Sequence, residues 1–127
     1  MKIRLTSLIV EDQERALTFY TETLGFVKKR DIPMGEARFL TVGAPSDPFG
    51  PELLLEPNAN PAAKAFQEAM YQQGIPVAAF DAGNVLNEYQ RLQKLGVRFM
   101  QPPIKAGPVT QAVLDDTVGN LIQIYGI

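Results

Sequence analysis

The sequence contains neither cysteine nor histidine in its 127 residues. Without cysteine there is no disulfide framework, no thiolate nucleophile and no cysteine-ligated metal site. Without histidine the chain lacks the commonest acid–base group at neutral pH and the commonest metal ligand. These two absences exclude the usual thiol and imidazole chemistries.

Long apolar runs and a strong charge are lacking as well. The opening residues MKIRLTSLIV contain no long apolar stretch, so no secretory signal is visible. No apolar run approaches the roughly 20 residues that cross a bilayer. The formal net charge is −2, and the longest basic run is Lys28–Arg30, which argues against a polyanion partner. We therefore expect a cytoplasmic protein that binds neither membrane nor nucleic acid.

What the sequence does contain is an internal repeat. Residues 5–26, LTSLIVEDQERALTFYTETLGF, predict a strand, a polar turn, an amphipathic helix and a Leu-Gly stop. Residues 77–97, VAAFDAGNVLNEYQRLQKLGV, predict the same succession. Asp12 and Asn84 are suitable N-caps for the two helices. Each copy then reaches a glycine-marked turn, at Gly35 and Gly107.

A second signature closes each copy in the same order. The segment DPFGPELLLEP from Asp47 aligns with DTVGNLIQIYG from Asp116, as Asp-x-x-Gly followed by an apolar strand. Two matches in one order indicate a tandem duplication. We predict an α+β fold of two βαβββ modules within a single domain: module 1 at residues 1–57, a connecting helix within 58–75, and module 2 at 76–127.

Local patterns add three further expectations. Tyr20 lies at helical spacing with Leu17 and Leu24, which favours core packing over a functional phenol. In the connecting helix, the pattern places Phe66 and Met70 on one side. A strand over residues 97–101 is expected to end at Pro102-Pro103, because proline has no backbone N–H to donate.

The paired βαβββ units, the segment FYTETLGF and the Asp-x-x-Gly-Asn turn together resemble the vicinal oxygen chelate superfamily. That superfamily includes glyoxalases, bleomycin- and fosfomycin-resistance proteins and extradiol dioxygenases. The resemblance covers essentially the whole chain. It implies a U-shaped mixed sheet around a ligand cavity, with the helices outside. It also implies a homodimer and a small organic molecule as partner.

Enzymes of this superfamily hold one divalent metal through about four side chains. Aligning their ligand positions by the repeated turns places them at Leu5, Leu54, Val77 and Gln123. Three of these are hydrocarbon and cannot coordinate a metal, so no cofactor is expected. Glu56 lies two residues beyond Leu54 on the same strand face, so a divalent metal is conceivable only at a degenerate Glu56–Gln123 site.

An apolar cavity floor suits a metal-free binder, because ligand pockets are mostly hydrophobic with a few polar orienting groups. The resemblance places Ser7, Arg38, Glu56 and Gln123 in that polar role, beside Leu5, Leu54 and Val77. From the residues alone, Arg38 has two interpretations. It is either a solvated edge residue or an anion contact in a cavity, and Glu56 is either a cavity carboxylate or a strand end in water.

Three functions stay open at this point. The first is a glyoxalase- or bleomycin-resistance-like protein that binds a small organic molecule without a metal. The second is a metal-dependent lyase or dioxygenase-like enzyme with a shifted site at Glu56 and Gln123. The third is a non-catalytic dimer whose cavity is closed by its own side chains. Catalytic residues cannot be named from the sequence.

Overall fold

The computed structural model describes all 127 residues, as two compact units, Met1–Gln67 and Glu68–Ile127. Eight strands form two four-stranded mixed sheets, and three helices accompany them, which confirms the predicted α+β class. The first unit contains β1 (Leu5–Val10), α1 (Gln13–Thr18), a π turn (Phe19–Thr23), β2 (Val27–Met34), β3 (Ala37–Gly43) and β4 (Glu52–Pro57). There follow α2 (Pro61–Gln72), β5 (Ala78–Asp81), α3 (Val85–Lys94), β6 (Phe99–Ala106), β7 (Val109–Asp115) and β8 (Leu121–Gly126).

The two sheets have the same topology. The strand order is β1-β4-β3-β2 in the first unit and β5-β8-β7-β6 in the second. In each, the first strand pairs in parallel with the last, and the remaining pairs are antiparallel. Parallel neighbours need a crossover connection, and here that connection contains the helix and the two middle strands. Each unit is therefore one βαβββ module.

The strand registers show how closely the modules correspond. Ile32 pairs with Phe39 in the first sheet, and Ile104 pairs with Gln111 in the second. Ile104 follows Ile32 by 72 positions, and Gln111 follows Phe39 by the same number. The tight turns between these strands contain Gly35 and Gly107, with φ of 64° and 65°. Glycine adopts such angles without the steric cost that a Cβ would bring.

The helix starts follow from the predicted caps. The carboxylate of Asp12 accepts a hydrogen bond from the backbone N–H of Arg15 at 2.8 Å. The amide oxygen of Asn84 accepts one from Asn87 N at 3.0 Å. Each bond satisfies an N–H that the helix itself leaves unpaired.

Each unit buries the helix-facing side of its sheet. In the first unit this side contributes residues that are at most 3% exposed: Leu8, Val10, Leu40, Val42 and Leu55. Tyr20 in the π turn is fully buried, with its ring centroid 5.5 Å from Phe19 and 6.4 Å from Phe26. The core role predicted for Tyr20 is confirmed.

In the second unit, β7 and β8 contribute Ala112, Leu114, Ile122 and Ile124, all at most 4% exposed, while α3 contributes Val85 and Leu92. The ring of Tyr89 on α3 meets Phe99 on β6 edge-to-face, with centroids 4.7 Å apart. Helix and sheet thus form an apolar core within this unit.

The prediction that Pro102-Pro103 ends a strand is wrong. Strand β6 continues from Phe99 to Ala106, and its register with β7 is irregular between Gln101 and Ile104. The physical reason is position, since β6 is an edge strand of its sheet. On the outer side of an edge strand there is no neighbouring carbonyl that needs a backbone N–H, so the missing N–H of proline costs no hydrogen bond.

Helix α2 buries a polar residue rather than its aromatic one. Phe66 is 57% exposed, whereas Gln67 is 3% exposed. The Gln67 amide donates to Ile9 O at 3.0 Å and accepts from Asn58 Nδ2 at 2.9 Å. Burial of an amide is tolerated when its hydrogen bonds are made.

The fold contains no helix that is both long and apolar enough to span a membrane.

The core of the second unit gives a direct stability test. We expect Leu114→Ala to lower the free energy of unfolding by about 2–5 kcal/mol, because Leu114 is fully buried and its truncation leaves a cavity. Leu86→Ala is the matched control, since Leu86 is 58% exposed, and its effect should stay within about 0.5 kcal/mol. Urea denaturation followed by circular dichroism measures both. Equal losses in the two variants would contradict the burial described here.

Candidate functional site

Four of the predicted site residues share one face of the first sheet. Ser7 is paired with Leu54, while Leu5 and Glu56 lie two positions away on the same strands, β1 and β4. Alternation along a strand turns these four side chains to the same side. That side is opposite to the helix-facing side that contains Leu55, and Leu54 on it is itself only 8% exposed. The structure therefore brings Leu5, Ser7, Leu54 and Glu56 together on the helix-free face.

Arg38 does not join them, and its predicted place needs correction. Thr41 pairs with Leu54, so Arg38, three residues away on β3, points to the opposite, helix-bearing face. There its guanidinium donates to Asp31 through Nε (2.9 Å) and Nη2 (2.7 Å), and to Glu14 of α1 through Nη1 (2.6 Å). Arg38 is occupied as an ion-pair centre between strand and helix.

The remaining two predicted residues belong to the second unit. Gln123 on β8 is paired with Ala79 on β5. The backbone N–H of Val77 donates to Leu121 O at 3.0 Å, which places Val77 beside Leu121. Val77 and Gln123 thus lie on one face of the second sheet. The amide of Gln123 donates to Gln111 Oε1 over a long 3.4 Å.

A pocket of about 570 Å³ lies within the first unit, over the helix-free face of its sheet. Leu5 is the one predicted site residue that lines it. The other lining residues are Arg4, Arg30, Phe39, Pro48, Phe49, Gly50 and Glu52. Phe49 is 87% exposed, so its ring forms part of the rim. Both apolar and charged groups thus surround one space.

One wall of this pocket comes from a loop that differs between the modules. Eight residues, 44–51, connect β3 to β4, whereas five residues, 116–120, connect β7 to β8. Pro48, Phe49 and Gly50 belong to the longer loop. The shorter loop is closed by its own bonds, with Asp116 Oδ1 accepting from the backbone N–H of Val118 and of Asn120. The pocket wall is therefore a property of module 1.

Basic side chains hold the longer loop in place. Arg4 Nη1 donates to Phe49 O at 3.1 Å, and Lys29 Nζ donates to Pro48 O at 3.0 Å. Hydrogen bonds from charged donors are stronger than neutral ones. Within the loop, the backbone N–H of Gly50 donates to Asp47 O at 3.0 Å. Bonds from two basic side chains and from the loop's own backbone thus fix its conformation.

Glu52 is the acidic group on the pocket floor. Its Oε1 accepts a hydrogen bond from Thr41 Oγ1 at 2.7 Å and one from Arg30 Nε at 3.3 Å. The Thr41 bond, followed by the charges of Arg30 and Lys29, lowers the pKa of Glu52 below its ordinary value. Glu52 is therefore ionised at neutral pH.

The sequence pattern did not single out Arg4, Arg30, Phe39, Phe49 or Glu52. One signal could have indicated them, namely the three extra residues by which the loop before β4 exceeds its counterpart before β8. An exposed aromatic in an insertion is a candidate binding residue, because loops positioned by a rigid sheet often bind ligands.

The chain offers few donors for a metal. No group of three or more His, Cys, Asp or Glu side chains lies close enough together to hold an ion. In the first unit, Glu56 is the one carboxylate among the four predicted residues that share the helix-free face. Glu52 and Thr41 lie on the same face but are bonded to each other, so the oxygen donors there are two carboxylates and two hydroxyls in all.

The chain matches a family model over residues 2–124, that of the Glyoxalase/Bleomycin resistance protein/Dioxygenase superfamily. Among curated proteins, it is 53% identical over 124 residues to YurT of Bacillus subtilis (strain 168), covering 98% of each chain. It is also 30% identical over 123 residues to YetH of the same organism, covering 94% of this chain and 93% of that one.

Two solved structures are similar in sequence as well as in fold. UcmS2 has a TM-score of 0.86 at 32% identity, covering all of this chain and 98% of its own. TnmS3, an antibiotic binding protein from Streptomyces sp. CB03234, has a TM-score of 0.77 at 27% identity, covering 98% of this chain and 93% of its own.

The ion pair of Arg38 predicts a pH dependence. The hydrogen bonds from Arg38 lower the pKa of Asp31 from 3.8 to about 2. A lowered folded-state pKa stabilises the fold above pH 3.8, and this contribution is lost as the pH falls toward 2. We therefore expect wild type to melt at a higher temperature than Asp31→Asn at pH 6, and this difference in melting temperature should shrink below about pH 4 in a series extending to pH 2.5.

Asp81→Asn is the control for this experiment, because an asparagine oxygen can still accept the bond that Asp81 accepts from Gly83 N. The difference in melting temperature between Asp81→Asn and wild type should change less with pH than that of Asp31→Asn, because Asp81 takes part in none of the ion pairs. Parallel pH profiles for Asp31→Asn and Asp81→Asn would contradict the assignment.

Proposed function

Since this chain belongs to the Glyoxalase/Bleomycin resistance protein/Dioxygenase superfamily, we propose that it binds a small organic molecule without a metal, at the pocket of its first unit. The observation that carries the proposal is the combination of Phe39, Phe49 and Leu5 around a space of about 570 Å³. Small-molecule pockets typically measure about 300–1,000 Å³ and have mostly apolar walls with a few polar groups.

The apolar walls favour a ligand with a flat aromatic part. Phe39 lies on the sheet, and Phe49 stands on the loop that forms the rim. Aromatic side chains add stacking or edge-to-face contacts to the burial of apolar surface. An aromatic ligand that reaches both rings would replace the water now in contact with Phe49, which is 87% exposed.

The similarity to TnmS3 supports the same reading. TnmS3 is an antibiotic binding protein, and the similarity covers 98% of the present chain. Binding of this kind needs shape and contacts but no reactive group. Among the pocket's lining residues, Glu52 is the one group that could act as a base, and its carboxylate is already bonded to Thr41 and Arg30.

The metal-free part of the proposal rests on donor chemistry. When the ligand positions of the superfamily's enzymes are aligned by the repeated turns, Leu5, Leu54 and Val77 fall at three of the four, and hydrocarbon offers no lone pair. A cation beside them would lose water without gaining donors, which is unfavourable. Glu56 and Gln123 are the two oxygen donors of the alternative, shifted site.

Phe49 gives the first functional test. Differential scanning fluorimetry against a panel of polycyclic aromatic antibiotics should identify members that raise the melting temperature, because a ligand specific for the folded state stabilises it. Phe49→Ala should then weaken binding about tenfold, since a buried Phe side chain contributes roughly 1.5–3 kcal/mol. Fluorescence titration measures the dissociation constant.

Phe66→Ala is the matched control for that titration. It removes the same ring from another exposed site, on α2, where Phe66 is 57% exposed. Its dissociation constant should equal that of wild type. The proposal fails if no compound in the panel stabilises the protein, or if the two variants weaken binding equally.

Metal removal gives the second test. Protein treated with a chelator and dialysed should bind the same ligands with an unchanged dissociation constant, because no ligand contact passes through an ion. Elemental analysis before treatment should find less than one equivalent of any transition metal. If chelation abolishes binding, and Glu56→Gln or Gln123→Ala abolishes metal retention, the shifted-site enzyme is the better interpretation.

A further inference from the structure

We infer that the pocket of the first unit selects aromatic ligands that carry a carboxylate. This inference rests on the proposed function and names the chemical class of its ligand. It is carried by Arg4, a cation that lines the pocket and forms no ion pair with a carboxylate.

Arg4 and Lys29 both donate to backbone carbonyls of the loop that forms the pocket wall. Arg4 Nη1 donates to Phe49 O and Lys29 Nζ donates to Pro48 O, and both acceptors are neutral carbonyls. None of the ion pairs in the structure includes Arg4 or Lys29. A guanidinium has five N–H donors in a planar fork, and the Phe49 bond uses one of them. The donors left over match a carboxylate in geometry and charge.

The acidic side chains near the pocket do not neutralise its positive charge. Glu52 is bound by Thr41 and by Arg30, and the charge of Lys29 also acts on it, which leaves Arg4 without a carboxylate partner. Asp47 packs against Gly50 within the loop. The basic side chains at the pocket, Arg4, Lys29 and Arg30, outnumber these two carboxylates. The balance is positive although the whole chain carries a formal charge of −2.

The arrangement also separates the two parts of such a ligand. The aromatic part would contact Phe39 and Phe49, and the carboxylate would lie toward Arg4, which lines the same space. A pocket that combines an apolar wall with a cationic group discriminates between a charged ligand and its neutral isostere.

A matched pair of fluorescent probes tests this. Anthracene-2-carboxylate and anthracene-2-carboxamide have the same ring system and nearly the same shape, and they differ in charge at pH 7. In wild type at low ionic strength, we expect the carboxylate to bind about tenfold more tightly. This ratio should fall in 0.5 M NaCl, because salt screens charges at an exposed site.

Charge-removing variants locate the effect. Arg4→Gln keeps a side-chain donor for Phe49 O and removes the charge, so the ratio of carboxylate to carboxamide affinity should drop to about threefold. Lys29→Gln should act in the same direction. Lys64→Gln, an exposed position on α2, is the control with equal loss of charge and should leave the ratio at its wild-type value.

The outcomes separate the two proposals. If both probes bind wild type equally, or if Arg4→Gln and Lys64→Gln change the ratio alike, the carboxylate selectivity is wrong while the proposed small-molecule binding stands. If neither probe binds and no aromatic antibiotic stabilises the protein, both proposals are wrong. A carboxylate preference that Arg4→Gln and Lys29→Gln reduce, and that salt weakens, supports the inference.

Discussion

The parallel pairing of first and last strands is the constraint on which each unit depends. It aligns Ser7 with Leu54 in the first sheet and Ala79 with Gln123 in the second. Because strand side chains alternate, a shift of one residue in either register would exchange the helix-facing and helix-free faces of the strand. The register thus determines at once which leucines form the core and which side chains are available to a ligand. The caps, hairpin turns and helices of each module all conform to it.

Much of the framework could be predicted from the sequence because it depends on local chemistry. Asp12 and Asn84 cap helices through their own side chains, and Gly35 and Gly107 supply the backbone angles that their turns require. Alternation also placed Leu5, Ser7, Leu54 and Glu56 correctly on a common face. Each of these features involves residues that are close in sequence or related by a simple period.

The features that could not be predicted depend on the position of a segment within the sheet or on distant partners. The prolines of β6 are tolerated because that strand is at an edge, and a single sequence does not reveal the edge. Gln67 is buried because Ile9 and Asn58 meet its amide. Arg38 could have been placed by alternation, since it shares a face with Leu40 and Val42. Its charge instead suggested a ligand contact, whereas Asp31 and Glu14 are its partners. The pocket depends on a loop whose shape is set by Arg4 and Lys29 from outside it.

The unequal loops separate the residues that form the core from the residues that form the pocket wall. Both modules share one strand order, whereas residues 44–51 contribute no residue to the core and the shorter loop 116–120 contributes Val118. Changes in residues 44–51 can therefore reshape one wall of the pocket with little cost to folding. The pocket of module 1 could accordingly be redesigned through the length and side chains of a single connection, while both sheets stay unchanged.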